Sequence, residues 1–191
     1  MADYVTIANL TLSLIGEDDQ LRDPDQDSHA ARAVRAVWDE VRRDVLRDHP
    51  WNFAIARRDL SAVEDIVTYP WAAAFQLPED CLRLLEVLDP PGCRDTFENE
   101  GGRILADTAG PLWVRYVRDV EETGLWDALF VSAFAARLAF QIADRITGDR
   151  GRKDDAFRAY RAALAKAKGV DAKENPPVVT VESDWITARY S

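Results

Sequence analysis

The sequence predicts an α+β chain that is mainly α: a four-helix bundle with a β-rich insertion between the second and third long helices and an extended C-terminal arm. Three observations carry this. Apolar residues recur at steps of three and four in four segments outside 50–119. Prolines divide residues 50–119 into apolar runs too brief for helices. After Asn175 a Pro-Pro pair opens a tail without helical period. The expected boundaries are 1–49 and 120–170 for the bundle, 50–119 for the insertion and 171–191 for the arm, in one structural domain overall.

In chain order, Tyr4, Ile7, Ala8, Leu12 and Ile15 form one face of a first helix, with Asp3 as its N-cap and Gly16 as its stop. A polar, acidic stretch runs from Glu17 to Asp27, and Ser28 caps a second helix that reaches about Asp48. Val34, Val37, Trp38, Val41 and Val45 are its apolar stripe, and Arg32, Arg35, Asp39, Arg42 and Arg43 cover much of its remaining surface. Pro50 ends it near His49, because the residue before a proline avoids helical dihedrals. In the insertion, 73–77, 82–88 and 112–118 read as strands, and 96–106 as a hairpin turning at Asn99-Glu100-Gly101-Gly102. Helical period returns at Trp126. Phe130, Ala133, Phe134, Leu138 and Ile142 leave this third helix few polar faces before Thr147-Gly148, so it is a central one. The fourth, from Arg150 to Lys168, buries Ala156, Phe157, Tyr160, Ala163, Leu164 and Ala167, and Gly169 closes it.

Composition excludes several classes of function. The 191 residues are 47% hydrophobic and 30% charged, the balance of a globular domain rather than a disordered chain. Asp and Glu total 34 against 24 Lys and Arg, a formal charge of −10 that argues against tight phosphate-backbone binding. No apolar run reaches the roughly 18 residues of a membrane span, and the first residues lack a basic start and a cleavage pattern, so the expectation is an unexported protein away from the membrane. Cys81 and Cys93 are the two cysteines, which suits a reducing compartment.

Tests for chemistry return little. Asp23, Asp25 and Asp27 imitate the start of a calcium loop, but Ser28 stands where the tight turn needs Gly and Val34 where the bidentate Glu belongs. His29 and His49 flank the second helix at opposite ends and cannot share an ion; His49 suits the negative end of the helix dipole. Neither cysteine has a C-x-x-C partner, so both read as small apolar residues. G-x-S-x-G, H-E-x-x-H and phosphate-cradling glycine loops are absent. The expectation is therefore no catalytic residue, no metal and no cofactor.

Aromatics are distributed over unexpected segments. Trp51, Phe53, Trp71, Phe75 and Trp113 give the insertion a small core of its own. In the tail, Val179, Val181, Trp185, Ile186, Arg189 and Tyr190 combine β-branched residues with the side chains that most often anchor interfaces, so the tail reads as an arm ordering against a partner.

Four phrases then carry a resemblance: IANLTLSLIGE near the start, DSHAARAVRAVWDEVRRDVLRDHPWNFA, FQLPEDCLRLLEV in the insertion, and DWITAR near the end. The chain resembles phage head-to-tail adaptors (connectors) of the tail tubular protein A kind, also found in gene transfer agents. The resemblance implies a virion component at the head-tail junction, made in the host cytoplasm and assembled as a dodecameric ring below the portal protein. It implies an arm packed on the portal through the six tail residues just named, and a neck, stopper or tail protein on the ring's other face. DNA passes through such a ring during ejection without specific binding, which an acidic channel favours. Two other readings stand beside it: a free-standing helical protein-interaction module, and an unrecognised hydrolase.

Overall fold

The computed structural model describes residues 2–64, 68–88 and 97–174. The described residues form four helices: α1 (Tyr4–Leu14), α2 (His29–Asp48), α3 (Ala128–Thr147) and α4 (Arg150–Glu174). Between α2 and α3 lie β1 (Ile55–Leu60), β2 (Ala73–Gln76), β3 (Cys81–Leu88), β4 (Phe97–Glu100), β5 (Arg103–Ala106) and β6 (Leu112–Arg118). They form two three-stranded antiparallel sheets, ordered β1-β6-β3 and β2-β5-β4.

The expected mainly α four-helix bundle is corrected by this architecture. About 51% of the described residues are helical and 20% are strand, a mixed α+β fold. The physical reason lies in β6, whose two faces feed two cores. Leu112, Val114 and Tyr116 face Phe75, Ile104 and Ala106 of the other sheet in a buried cluster between the sheets. Val117, with Val120 just beyond, instead joins the helical core around Ile7, Val34, Phe130 and Phe134. The sheets thus help to close the helical layer, which no self-sufficient bundle would need.

Local signals explain most element ends. Asp3 accepts from the Thr6 amide at 2.8 Å, Ser28 from Ala31 at 3.2 Å and Asp127 from Leu129 at 2.8 Å, so each helix they precede begins at a side-chain cap. The β4–β5 hairpin turns on Gly101 and Gly102, whose φ angles of 58° and 77° suit the left-handed positions of a two-residue turn. Trp38 sits in an aromatic cluster, 4.3 Å from Tyr4 and 4.8 Å from Phe134 between ring centroids.

The structure also adds a strand and corrects three expectations. β1 carries Arg57, Arg58 and Asp59, shows no clear alternation, and is a strand because it pairs along its whole length with β6. Arg42 does not cover the surface of α2 but is buried within the ionic cluster described below. Gly169 does not close α4, which continues to Glu174. Phe157 is 40% exposed, packed only partly through Phe140 at 5.1 Å.

Candidate functional site

The six arm residues proposed for docking, Val179, Val181, Trp185, Ile186, Arg189 and Tyr190, lie outside the described residues, as does Cys93. The structure does describe the end of α4, immediately before residue 175. α2 stops at His49, which adopts extended dihedrals before Pro50. Trp51 then turns back, almost wholly buried, and its indole Nε1 donates to the Val45 carbonyl at 2.9 Å, satisfying one of the helix's last acceptors. A 3₁₀ turn over Asn52–Ala54 follows and leads into β1.

This junction grips the last turn of α4. His49 Nε2 lies 2.9 Å from Asp171 Oδ2, the Asn52 amide donates to Asp171 Oδ1 at 3.0 Å, and Asn52 Nδ2 donates to the Asp171 carbonyl at 2.8 Å. Asn52 Nδ2 also reaches Glu174 Oε2 at 3.3 Å. A buried carboxylate at the C-terminal end of a helix faces the negative pole of the helix dipole, so it persists only with donors of its own. HPWN supplies them. His49, read from sequence as a partner of the helix dipole, is here a partner of Asp171.

A second cluster joins α2 to the sheets. Arg42 is buried and bidentate on Asp119, with Nε to Oδ1 at 2.8 Å and Nη2 to Oδ2 at 3.0 Å. It also donates to Asp39 at 2.5 Å and to Glu121 at 3.2 Å, while Arg43 Nε reaches Asp119 at 2.9 Å. Burial opposes the charge on Arg42, but its bonds to Asp119 and the charges of Asp119, Asp39 and Glu121 outweigh it and hold its pKa above the ordinary value. Burial likewise pushes the Asp119 carboxyl up, and the hydrogen bonds from Arg42 and Arg43 overcome it and hold the pKa low. Beside this cluster runs an open groove of about 470 Å³, lined by Arg43, Glu79, Asp80, Asp119, Glu121 and Glu122 among others.

Chemically, both clusters are joints. Their carboxylates are occupied by Arg, Asn and His donors, and Tyr116, which donates to Asp80 at 3.1 Å, has its phenol pKa pushed up by burial and by that carboxylate. Burial raises the Cys81 thiol too, with the Asp80 charge adding to it, so the thiolate needed of a nucleophile is disfavoured. Asp27 of the acidic loop pairs with Arg32, and Asp23 Oδ1 accepts the Asp25 amide at 2.8 Å. Among the described residues no group of His, Cys, Asp or Glu could hold a metal ion, and no helix is long and apolar enough to cross a membrane. Sequence reasoning missed Arg42 and Asp171, both partnered with residues far away in the chain.

No protein-family model matches the chain, and a search of curated proteins finds no significant match.

Proposed function

We propose that this chain is a structural head-to-tail adaptor of a tailed phage or gene transfer agent, a ring protein that docks below the portal, connects it to the neck or tail, and leaves a path for DNA. The reading begins from the four phrases of the sequence that resemble that family. The observation that carries it further is the latch at the root of the arm. His49 and Asn52, both in the HPWNFA phrase, hold Asp171 one helical turn before residue 175. An arm that docks a partner benefits from a fixed origin, because the ordering cost of binding then falls on the arm alone. The net charge of −10 suits a conduit that phosphate should traverse without adhering. The proposal assigns the chain no catalytic activity, cofactor or metal.

The test is deletion of residues 175–191. The truncated protein is expected to keep the circular dichroism spectrum and solubility of the full chain while losing co-sedimentation with its portal. Within the arm, Trp185→Ala should weaken attachment most, by about 2 kcal/mol or more, the loss typical of a central buried anchor. Unfolding of the truncated protein would assign the arm to the chain's own core. Undiminished portal binding, or a loss at Trp185→Ala no greater than at Ser183→Ala, would remove the docking role.

A further inference from the structure

We infer that copies of this chain associate heterologously, with the outer face of α4 in one copy resting on the acidic flank beside α2 in the next. The starting observation is a segregation of charge. Residues 150–174 hold eight Lys or Arg against four Asp or Glu, whereas residues 1–149 hold 15 against 28. α4 is therefore a +4 element in a chain of charge −10, and all four lysines of the chain lie in it.

The charge on α4 points outward. Ala156, Tyr160, Ala167 and Asp171 are its buried residues, and Arg161, Lys166 and Lys173 are exposed with no ion pair among the described residues. Between these cations lie Ala162, Ala165 and Gly169, also exposed, so the face is smooth enough for a neighbouring chain to approach closely.

Most of the acid lies across α2 from the Arg161–Lys173 stretch of α4; only the start of the 17–27 loop adjoins α4, where Arg152 donates to the Ile15 carbonyl. On α2, Asp48 accepts from Tyr160 of α4 at 2.7 Å and Asp44 pairs with Arg137 of α3 at 3.4 Å, which defines the side facing α4. Arg35 and Arg42 project at least a third of a turn away, ~120° or more around the helix. Arg35 holds the carbonyls of Pro24 and Gln26, and Arg42 holds Asp119 and Glu121. Pro24 and Gln26 of the 17–27 loop, which carries six acids against Arg22, and the groove bearing Glu79, Asp80 and Glu122 consequently lie along this one flank. Asp18, Asp19, Glu79 and Glu122 have no ion pair among the described residues.

Opposite charge on opposite flanks selects the mode of association. A two-fold contact through either flank sets like charge against like, whereas a heterologous contact pairs α4 with acid at every interface. The contact rests on the charge segregation alone; only its closure into a ring rests on the adaptor reading.

Zero-length carbodiimide coupling of the full chain tests it, because that reagent joins lysine amines to carboxylates in contact. At about 0.05 M salt the expected product is a ladder of covalent oligomers, with Lys166, Lys168 or Lys173 linked to acids of 17–27 or to Glu79, Asp80, Glu121 or Glu122. At about 0.5 M salt, where screening shortens the reach of exposed charges, the ladder should fade. By sedimentation velocity, Arg161→Glu/Lys166→Glu/Lys173→Glu and Asp18→Lys/Asp19→Lys/Glu122→Lys should each weaken self-association at least tenfold. Mixing the two variants should restore it, since each then offers the charge the other lacks. A chain that stays monomeric at every concentration, cross-links mapping elsewhere, or variants that associate unchanged would overturn the inference. So would duplex DNA captured by the unmodified chain and lost in the α4 variant as its only defect. Deleting 175–191 should leave self-association intact, so portal docking and subunit contact can fail independently.

Discussion

Removing the carboxylate of Asp119 should detach α2 from β6, and the structure sets how much that costs. Arg42 makes four hydrogen bonds, two to Asp119 and one each to Asp39 and Glu121. The Arg42 and Asp119 side chains are 4% and 11% exposed, whereas Asp39 and Glu121 are 69% and 72% exposed. Truncation at Asp119 therefore removes the buried half of the arrangement and leaves the guanidinium facing two partners screened by water. Breaking a fully buried pair costs about 3–5 kcal/mol. Because Asp39 and Glu121 remain, Asp119→Ala should cost about 3 kcal/mol, while Arg43→Ala, at an exposed pair, should cost under about 1 kcal/mol. Urea titration followed by both tryptophan fluorescence and circular dichroism measures these values. The double variant Arg42→Met/Asp119→Ala should lose about 1–2 kcal/mol less than the sum of its single changes, since neither charge is then left stranded.

The same carboxylate fixes a pH dependence. Its folded-state pKa lies below the ordinary value of 3.8, held down by Arg42 and Arg43 against the opposing effect of burial. The stability it contributes is complete above 3.8 and is lost as pH falls through the lower folded value. Acid unfolding of Asp119→Asn should accordingly be flatter below about pH 4 than that of the unmodified chain. An Asp119→Ala cost under about 1 kcal/mol, or strict additivity with Arg42→Met, would refute the assignment of this cluster as a joint.

Two further outcomes follow from the packing. Trp38→Ala should cost about 3–5 kcal/mol, because it empties a buried aromatic site against Tyr4, Trp126 and Phe134, and exposed Glu40→Ala on the same helix under about 0.5 kcal/mol; equal losses in urea titration would mean a different rotation of α2. Asp171→Ala should speed amide hydrogen exchange through the last two turns of α4 while leaving α3 protected, and exchange unchanged at 166–174 would deny the latch its role.

Legibility in the sequence followed the range of the interaction. Caps, stops and turns depend on residues within a few positions, so Asp3, Ser28, Pro50 and the Gly101-Gly102 turn could be read directly. The strand β6 declared itself by alternation. β1 did not, since its conformation is imposed by a partner strand more than fifty residues away. Arg42 looked like surface because a charged residue at the margin of an apolar stripe is normally solvated, and only Asp119, 77 residues on, makes its burial tolerable. The extension of α4 past Gly169 has the same origin: helix propensity favours a stop there, and the tertiary bonds to Asp171 outweigh it. The arm residues named from sequence lie beyond Glu174, outside the described residues.

The phrases that carried the family resemblance prove to share a physical property within the described residues: they supply contacts between elements. In the first, Asn9 exchanges bonds with Leu21 at 2.9 and 2.7 Å, tying the acidic loop back onto α1, and Ile15 accepts from Arg152 at the start of α4. In the second, Arg42 holds β6 and HPWN holds the end of α4. In the third, Asp80 accepts from Tyr116 and the Leu82 carbonyl from Arg47 of α2. An enzyme must bring its reacting groups together at one cleft. Here the contacts made by these phrases are spread over joints between α1, α2, α4 and the sheets. Such joints suit the adaptor proposed above, which would present two flanks and an arm in fixed relation to its neighbours, and they support that proposed structural role over a catalytic one.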